Sequence, residues 1–277
     1  MSLNTRVAGQ QRCRHLGWAV CSWLPFRYGP RWRMQGFSLR CCLFVLLVLT
    51  PCAWGQSLRL VADLWPPYVD VSLPGGGLAT QIVTAAFARA GYTTTLEQVP
   101  WARAVQGIAD GRYDVLITVW YSDERTRIGQ HSAGYFSNRI LFWRRRGSGI
   151  DFNQDLAALH GYPIAVSRGY AYSPAFNQNQ CLEKVQVKNF AMALGMLAAG
   201  RVSLALEEEH VGRYLLAQQP AAVQAQVEAL PVPLSETDLR ILVSLKTPDH
   251  THIVEAFDQA IASMKADGML KALTAGF

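Results

Sequence analysis

The chain has 277 residues, half of them hydrophobic, enough for one large or two modest domains with a real core. Its formal charge of +6 is unevenly placed: seven arginines (Arg6, Arg12, Arg14, Arg27, Arg31, Arg33, Arg40) and no acid fall within residues 1–55, and the remainder carries one more acid than base. The basicity belongs to the leader, which removes the electrostatic footing for nucleic-acid binding by the rest of the chain.

Within that leader, Arg40 precedes an apolar run over residues 41–49, Pro51 breaks it, and Ala53-Trp54-Gly55 puts small residues at the −3 and −1 positions before Gln56. The pattern is that of a secretory signal peptide cleaved after Gly55, too short to span a bilayer comfortably. A permanent N-terminal anchor is the alternative. Residues 1–33 are too long and irregular for a basic n-region, so translation is expected to start at Met34. Five of the six cysteines (Cys13, Cys21, Cys41, Cys42, Cys52) lie in this leader. The mature chain keeps only Cys181, which leaves no intramolecular disulfide and no cysteine metal cluster.

From there strands and helices are predicted to alternate. Residues 58–62 form a short apolar strand, followed by Asp63-Leu64-Trp65-Pro66-Pro67-Tyr68, a loop stiffened by two prolines. After the flexible Gly75-Gly76-Gly77 turn, a helix over 79–90 gathers Ile82, Val83, Ala86, Phe87 and Ala90 on one face, with Gly91 at its end. A strand (93–99), a helix (102–109) and an Asp110-Gly111 turn lead into the apolar strand 115–119. That strand runs into Trp120, Tyr121, Ser122 and a small acidic turn carrying Arg125. A further strand, 139–143, ends in Arg144-Arg145-Arg146-Gly147, where the pattern restarts.

The second half reads as a short helix (155–159), a strand (162–167) and a glycine turn at Arg168-Gly169-Tyr170. Ser173-Pro174 has the form of an N-cap followed by proline at the first helical position. Strand 185–187, helix 191–199, strand 202–206 and helix 208–218 follow, then two separate β segments (227–232 and 239–245) and a helix over 252–265. Alternating elements imply parallel sheets flanked by helices, and the restart implies two such units with a ligand cleft between them.

Seven pieces of sequence, in order, resemble the extracellular solute-binding proteins of family 3, the amino-acid-type periplasmic receptors of ABC importers. They are the aromatic-proline loop, Gly111 and Asp114 before the apolar strand, the acidic turn ending in Arg125, Ser132 to Phe136, residues 156–167 with Gly169, Leu197-Ala198-Ala199-Gly200-Arg201-Val202, and the ending from Phe257 to Leu270. The resemblance implies the two-lobe, type II periplasmic-binding-protein fold. Each lobe is a mostly parallel α/β sheet flanked by helices, with the ligand cleft between lobes. Lobe 1 would take residues 56–143 and 236–277, and lobe 2 residues 144–235. It implies a periplasmic, monomeric receptor that captures an amino acid or related amine- or carboxylate-bearing molecule and hands it to an ABC permease. No cofactor, metal site or catalytic residue is expected.

The same resemblance assigns roles by position. Arg125 stands where these receptors hold the ligand carboxylate, a task suited to a planar fork of fixed donors that stays charged. Trp65, with Tyr68 beyond the prolines, stands at the ligand-stacking aromatic; the alternative is a core tryptophan. Trp120 replaces a small hydroxyl residue, and Tyr121 faces either cleft or core. Ser122 closes that strand end. Gly169 and Tyr170 precede a helix start whose N–H groups suit a carboxylate oxygen. Glu208 falls at the acid that pairs with a ligand ammonium, unless the run Glu207-Glu208-Glu209 only favours the positive end of the next helix. Trp101 is expected in the core and Arg103 at the cleft rim. His250-Thr251-His252 lacks a third metal ligand. Two other outputs remain open: a ligand sensor for a signalling partner, and an exported enzyme resembling cyclohexadienyl dehydratases, with Glu207 or Glu208 as general acid.

Overall fold

The structure, a computed structural model, describes residues 56–277. The leader, the start at Met34 and the cleavage after Gly55 lie outside the described residues. Strands β1 (Ser57–Ala62), β2 (Thr93–Gln98) and β3 (Val115–Val119) are parallel neighbours, with β1 in the middle. In the second half β6 (Ile164–Ser167) pairs in parallel with both β7 (Lys184–Val187) and β8 (Leu204–Glu208). Two long strands, β5 (Phe136–Arg145) and β9 (Val227–Ser244), join these groups. The resulting order is β2-β1-β3-β9-β5-β8-β6-β7, with β4 (Gly129–His131) beside β9.

Burial follows from the residues that each strand supplies. β3 reads Val-Leu-Ile-Thr-Val and is buried throughout, as a strand covered on both faces requires. Its alternation sends Leu116 to one core with Val61, Ile108 and Leu242, and Ile117 to the other with Leu60, Ile82, Phe87 and Phe257. β2 lies at the sheet edge and alternates exposed with half-buried residues. Helices Leu78–Arg89 and His250–Ala266 cover one face of lobe 1, and helix Trp101–Asp110 the other. In lobe 2, Trp143 packs with Phe190, Leu194, Leu197 and Val202. Ser173 and Asn189 cap their helices by accepting from Phe176 N and Met192 N.

Three expectations change. The segments 227–232 and 239–245 are one 18-residue strand, not two. Pro231 and Pro233 lack the N–H of a regular ladder and read as a break. The chain absorbs them as register shifts on either side of Leu141. The parallel character is confined to the outer strands, since every pair involving β5 or β9 is antiparallel. Residues 140–144 of β5 also pair with β8. Helix-forming pattern also continues past residue 265: the helix runs to Ala266 and a short one follows at Met269–Thr274.

Candidate functional site

The carboxyl ends of β1 and β3 lie on one side of lobe 1 and meet the turn after β6. β1 ends at Ala62, and Asp63 and Trp65 follow it. The Trp65–Val69 loop is tied by Trp65 N to Val69 O at 2.8 Å and Val69 N to Trp65 O at 2.9 Å. On β3, residues two apart share a face, so Thr118 and Trp120 turn inward together while Tyr121 turns out. The 3₁₀ turn Asp123–Arg127 then carries Arg125 back under the strand end, where it is buried.

Arg125 joins the lobes. Its guanidinium donates to Trp120 O (3.0 Å) and, across the cleft, to Gly169 O (2.9 Å). It also lies over the Trp101 ring at 5.0 Å. Trp101 Nε1 donates to the same Gly169 carbonyl at 3.2 Å. Gly169 sits at φ +78°, and a β-carbon there would stand 3.3 Å from the Trp101 ring, so glycine suits both the backbone and the contact. Asp63, Trp65, Trp101, Thr118, Trp120, Arg125, Tyr170, Ala171 and Leu239 line a half-open cavity here.

The charges around this space are unusual. Arg125 forms no salt bridge among the described residues, and burial lowers its pKa from the usual arginine value. Asp63 keeps some exposure, but the protein around its carboxyl pushes its pKa up to about 7, with its own backbone N–H and Tyr170 opposing. Glu207 is fully enclosed and pushed up to about 8, mainly by burial. It accepts from Glu208 N at 2.9 Å and from Trp65 Nε1 at 3.4 Å. Thr118 Oγ1 is buried with no hydrogen-bond partner in this structure.

Behind the cleft runs a different polar chain. Trp120 Nε1 donates to Asn138 Oδ1 (3.1 Å), Asn138 Nδ2 to the Tyr68 hydroxyl (3.0 Å), and that hydroxyl to Glu208 Oε1 (3.1 Å). Glu208 Oε2 accepts from Val211 N at 2.9 Å as the N-cap of helix Glu209–Ala217, and Oε1 meets His210 Nδ1 at 3.1 Å. The Glu208 contact is the first cause of the rise in His210's pKa.

Several of the expected site residues lie off this cavity's lining. Glu208 belongs to this hinge chain and caps a helix; it does not line the cleft. β8 extends to Glu208, two residues beyond the predicted strand end, which carries the acid into the sheet. Tyr68 is fully buried beside it and serves as core and bridge. Tyr121 is 53 % exposed, and its hydroxyl donates to Asp123 Oδ1, on the face that strand alternation turns away from the cleft. Ser122 caps the 3₁₀ turn by position and does not reach the cavity. Gly169 presents its carbonyl rather than its N–H, and the Tyr170 N–H is already given to Ser167 O at 3.2 Å. Trp65, Trp120, Arg125 and Tyr170 do line the cavity.

Asp63, Trp101 and Thr118 line it too and were missed as cleft residues. Asp63 had a usable signal, an acid directly after an apolar strand. Trp101 was read as core, and Thr118 is hidden in an apolar run. Among the described residues no cluster of three His, Cys, Asp or Glu has metal-binding proximity, and no helix is long and apolar enough to cross a membrane.

Two α/β lobes joined by paired crossing strands, with a half-open cavity between strand ends, define a ligand-binding receptor. The chain belongs to the bacterial extracellular solute-binding proteins, family 3, whose sequence model matches residues 61–277. No curated protein matches it by sequence. Solved structures share the fold at low identity. A histidine kinase sensor domain with similarity to periplasmic binding proteins superposes with a TM-score of 0.68 at 19 % identity, covering 80 % of this chain and 95 % of that one. A mutant of ArgBP from T. maritima gives 0.65 at 19 %, covering 79 % and 93 %. The GluR0 ligand-binding core from Nostoc punctiforme in complex with L-glutamate gives 0.63 at 17 %, covering 78 % and 96 %.

Proposed function

We propose that this protein is a periplasmic, monomeric receptor that closes its lobes on a small carboxylate-bearing, amino-acid-like solute and delivers it to an ABC permease. The observation that carries the reading is Arg125: a buried guanidinium inside a cavity, held only by two carbonyls and an aromatic face, with no salt-bridge partner in this structure. A buried charge without a counter-charge is costly, and an anionic ligand supplies the missing one. Thr118 Oγ1, also without a partner, adds a hydroxyl to the same wall. We assign Trp65, Trp120, Arg125 and Tyr170 to the ligand site, with Asp63, Trp101 and Thr118 added.

Closure would exchange water for these fixed groups and shift the population toward the closed form. The test is calorimetric titration with amino acids and organic acids. Arg125→Ala is expected to weaken the ligand that binds by about 2–4 kcal/mol, provided circular dichroism shows a folded variant. Unchanged affinity would remove Arg125 from the site.

A second output, sensing for a signalling partner, is favoured by the likeness to the kinase sensor domain. Deleting the gene should abolish uptake of the labelled ligand under the transport reading. Intact uptake with altered ligand-dependent gene expression would support the sensor.

A further inference from the structure

The cation side of the cleft carries a statement about ligand class, and it rests on the reading of Arg125 as the carboxylate anchor. A primary ammonium brings three N–H donors that lose water on entry and need acceptors in return. The acid expected for that task, Glu208, is enclosed and already engaged by the Tyr68 hydroxyl, Val211 N and His210. Glu207 lies behind Trp65, accepting from its indole N–H and from Glu208 N. Among the cavity's side chains the acceptors are Asp63 and the Thr118 and Tyr170 hydroxyls, the last already engaged with Asp63.

The rest of the wall is aromatic, and its rings enclose rather than stack. Trp65 meets Trp120 with centroids 5.8 Å apart at 74°, Trp120 meets Tyr170 at 5.6 Å and 87°, and Tyr170 meets Trp101 at 5.7 Å and 67°. Successive near-perpendicular rings form the sides of a box. A methylated ammonium suits such a box, since it has few or no N–H groups to satisfy, presents methyl surface, and is attracted to ring faces by their quadrupoles. Asp63 lines the same cavity, and Arg125 stands over the outer ring of the series, Trp101.

We propose that the ligand is a small zwitterion with a carboxylate at Arg125 and an N-methylated cation boxed by Trp65, Trp101, Trp120 and Tyr170 beside Asp63, in preference to a primary α-amino acid.

The test is calorimetric titration of the purified protein with glycine, N-methylglycine, N,N-dimethylglycine and N,N,N-trimethylglycine, with acetate and the common amino acids alongside. Affinity should rise along the methyl series, by tenfold or more from first to last. Trp101→Ala, a change at a half-buried helix start, should erase most of that gain while circular dichroism stays unchanged. Primary amino acids binding as well as or better than the methylated series would overturn the proposal and leave the carboxylate reading intact. The same holds if acetate binds and methylation adds nothing. Failure of every carboxylate in the panel would remove the Arg125 reading, and the proposal with it. A methyl gain that survives Trp101→Ala and a matching Trp65→Ala would overturn the ring box.

Discussion

Glu207 and Glu208 are neighbours in the chain, both buried, and they belong to two different regions. Glu208 sits in the hinge, where every polar atom of the Trp120–Asn138–Tyr68–Glu208 chain has a partner. Glu207 faces the cleft side, beside a cavity that leaves a guanidinium without a counter-ion and a threonine hydroxyl without a partner. The hinge is polar and satisfied; the cleft is polar and incomplete. Satisfied buried networks hold a geometry, whereas buried groups lacking partners mark where another molecule would complete the structure.

The largest effect should come from breaking the hinge. Glu208→Ala removes a helix cap and the carboxylate that accepts from the Tyr68 hydroxyl, a cost of about 2–4 kcal/mol by denaturant unfolding. A small cost with collapsed ligand affinity would instead move Glu208 into the cleft. Asn138→Leu leaves the buried Trp120 indole N–H without its acceptor and should cost about 1–3 kcal/mol in the same assay, with the cleft's ligand preference retained.

A titration tests the acids on the cleft side. Glu207 is raised from 4.5 to about 8 and Asp63 from 3.8 to about 7, so the folded state holds protons that the unfolded chain releases. The stability those protons bring is whole below about pH 4 and is lost as pH rises through 7 and 8. Glu207→Gln keeps an acceptor for Trp65 and removes one titration. Its melting temperature should fall less than that of the parent between pH 5 and pH 8, a window set by the raised carboxyl. Parallel pH profiles would show Glu207 ionised in the folded state. The smallest effect is expected for Thr118→Val, which deletes a hydroxyl without a partner and should change the empty protein's stability by no more than about 0.5 kcal/mol. A larger loss would reveal a partner for that hydroxyl and weaken the contrast.

Much of the fold was legible because periodicity carries it. The apolar run of β3, the one-sided helix expected over residues 79–90 and the capping residue Ser173 read correctly from chain order alone, whereas the Asn189 cap did not. β9 did not, since two prolines look like an ending when a neighbouring strand is absent from view. In the cleft, Arg125 and Trp120 are named from their place around the acidic turn, and both line the cavity. Trp101 is not, because an indole lining a cavity and one plugging a core have the same local sequence.

Residue type and spacing by themselves determined the alternating α/β elements, and the ordered resemblance determined the family. Only the tertiary structure decided that Glu208 closes a hinge while Glu207 backs a cleft, and that Asp63, Trp101 and Thr118 stand beside Arg125. The physical reason is that a buried polar group's role depends on what lies opposite it, and the partners here come from residues as far apart as Tyr68 and Glu208.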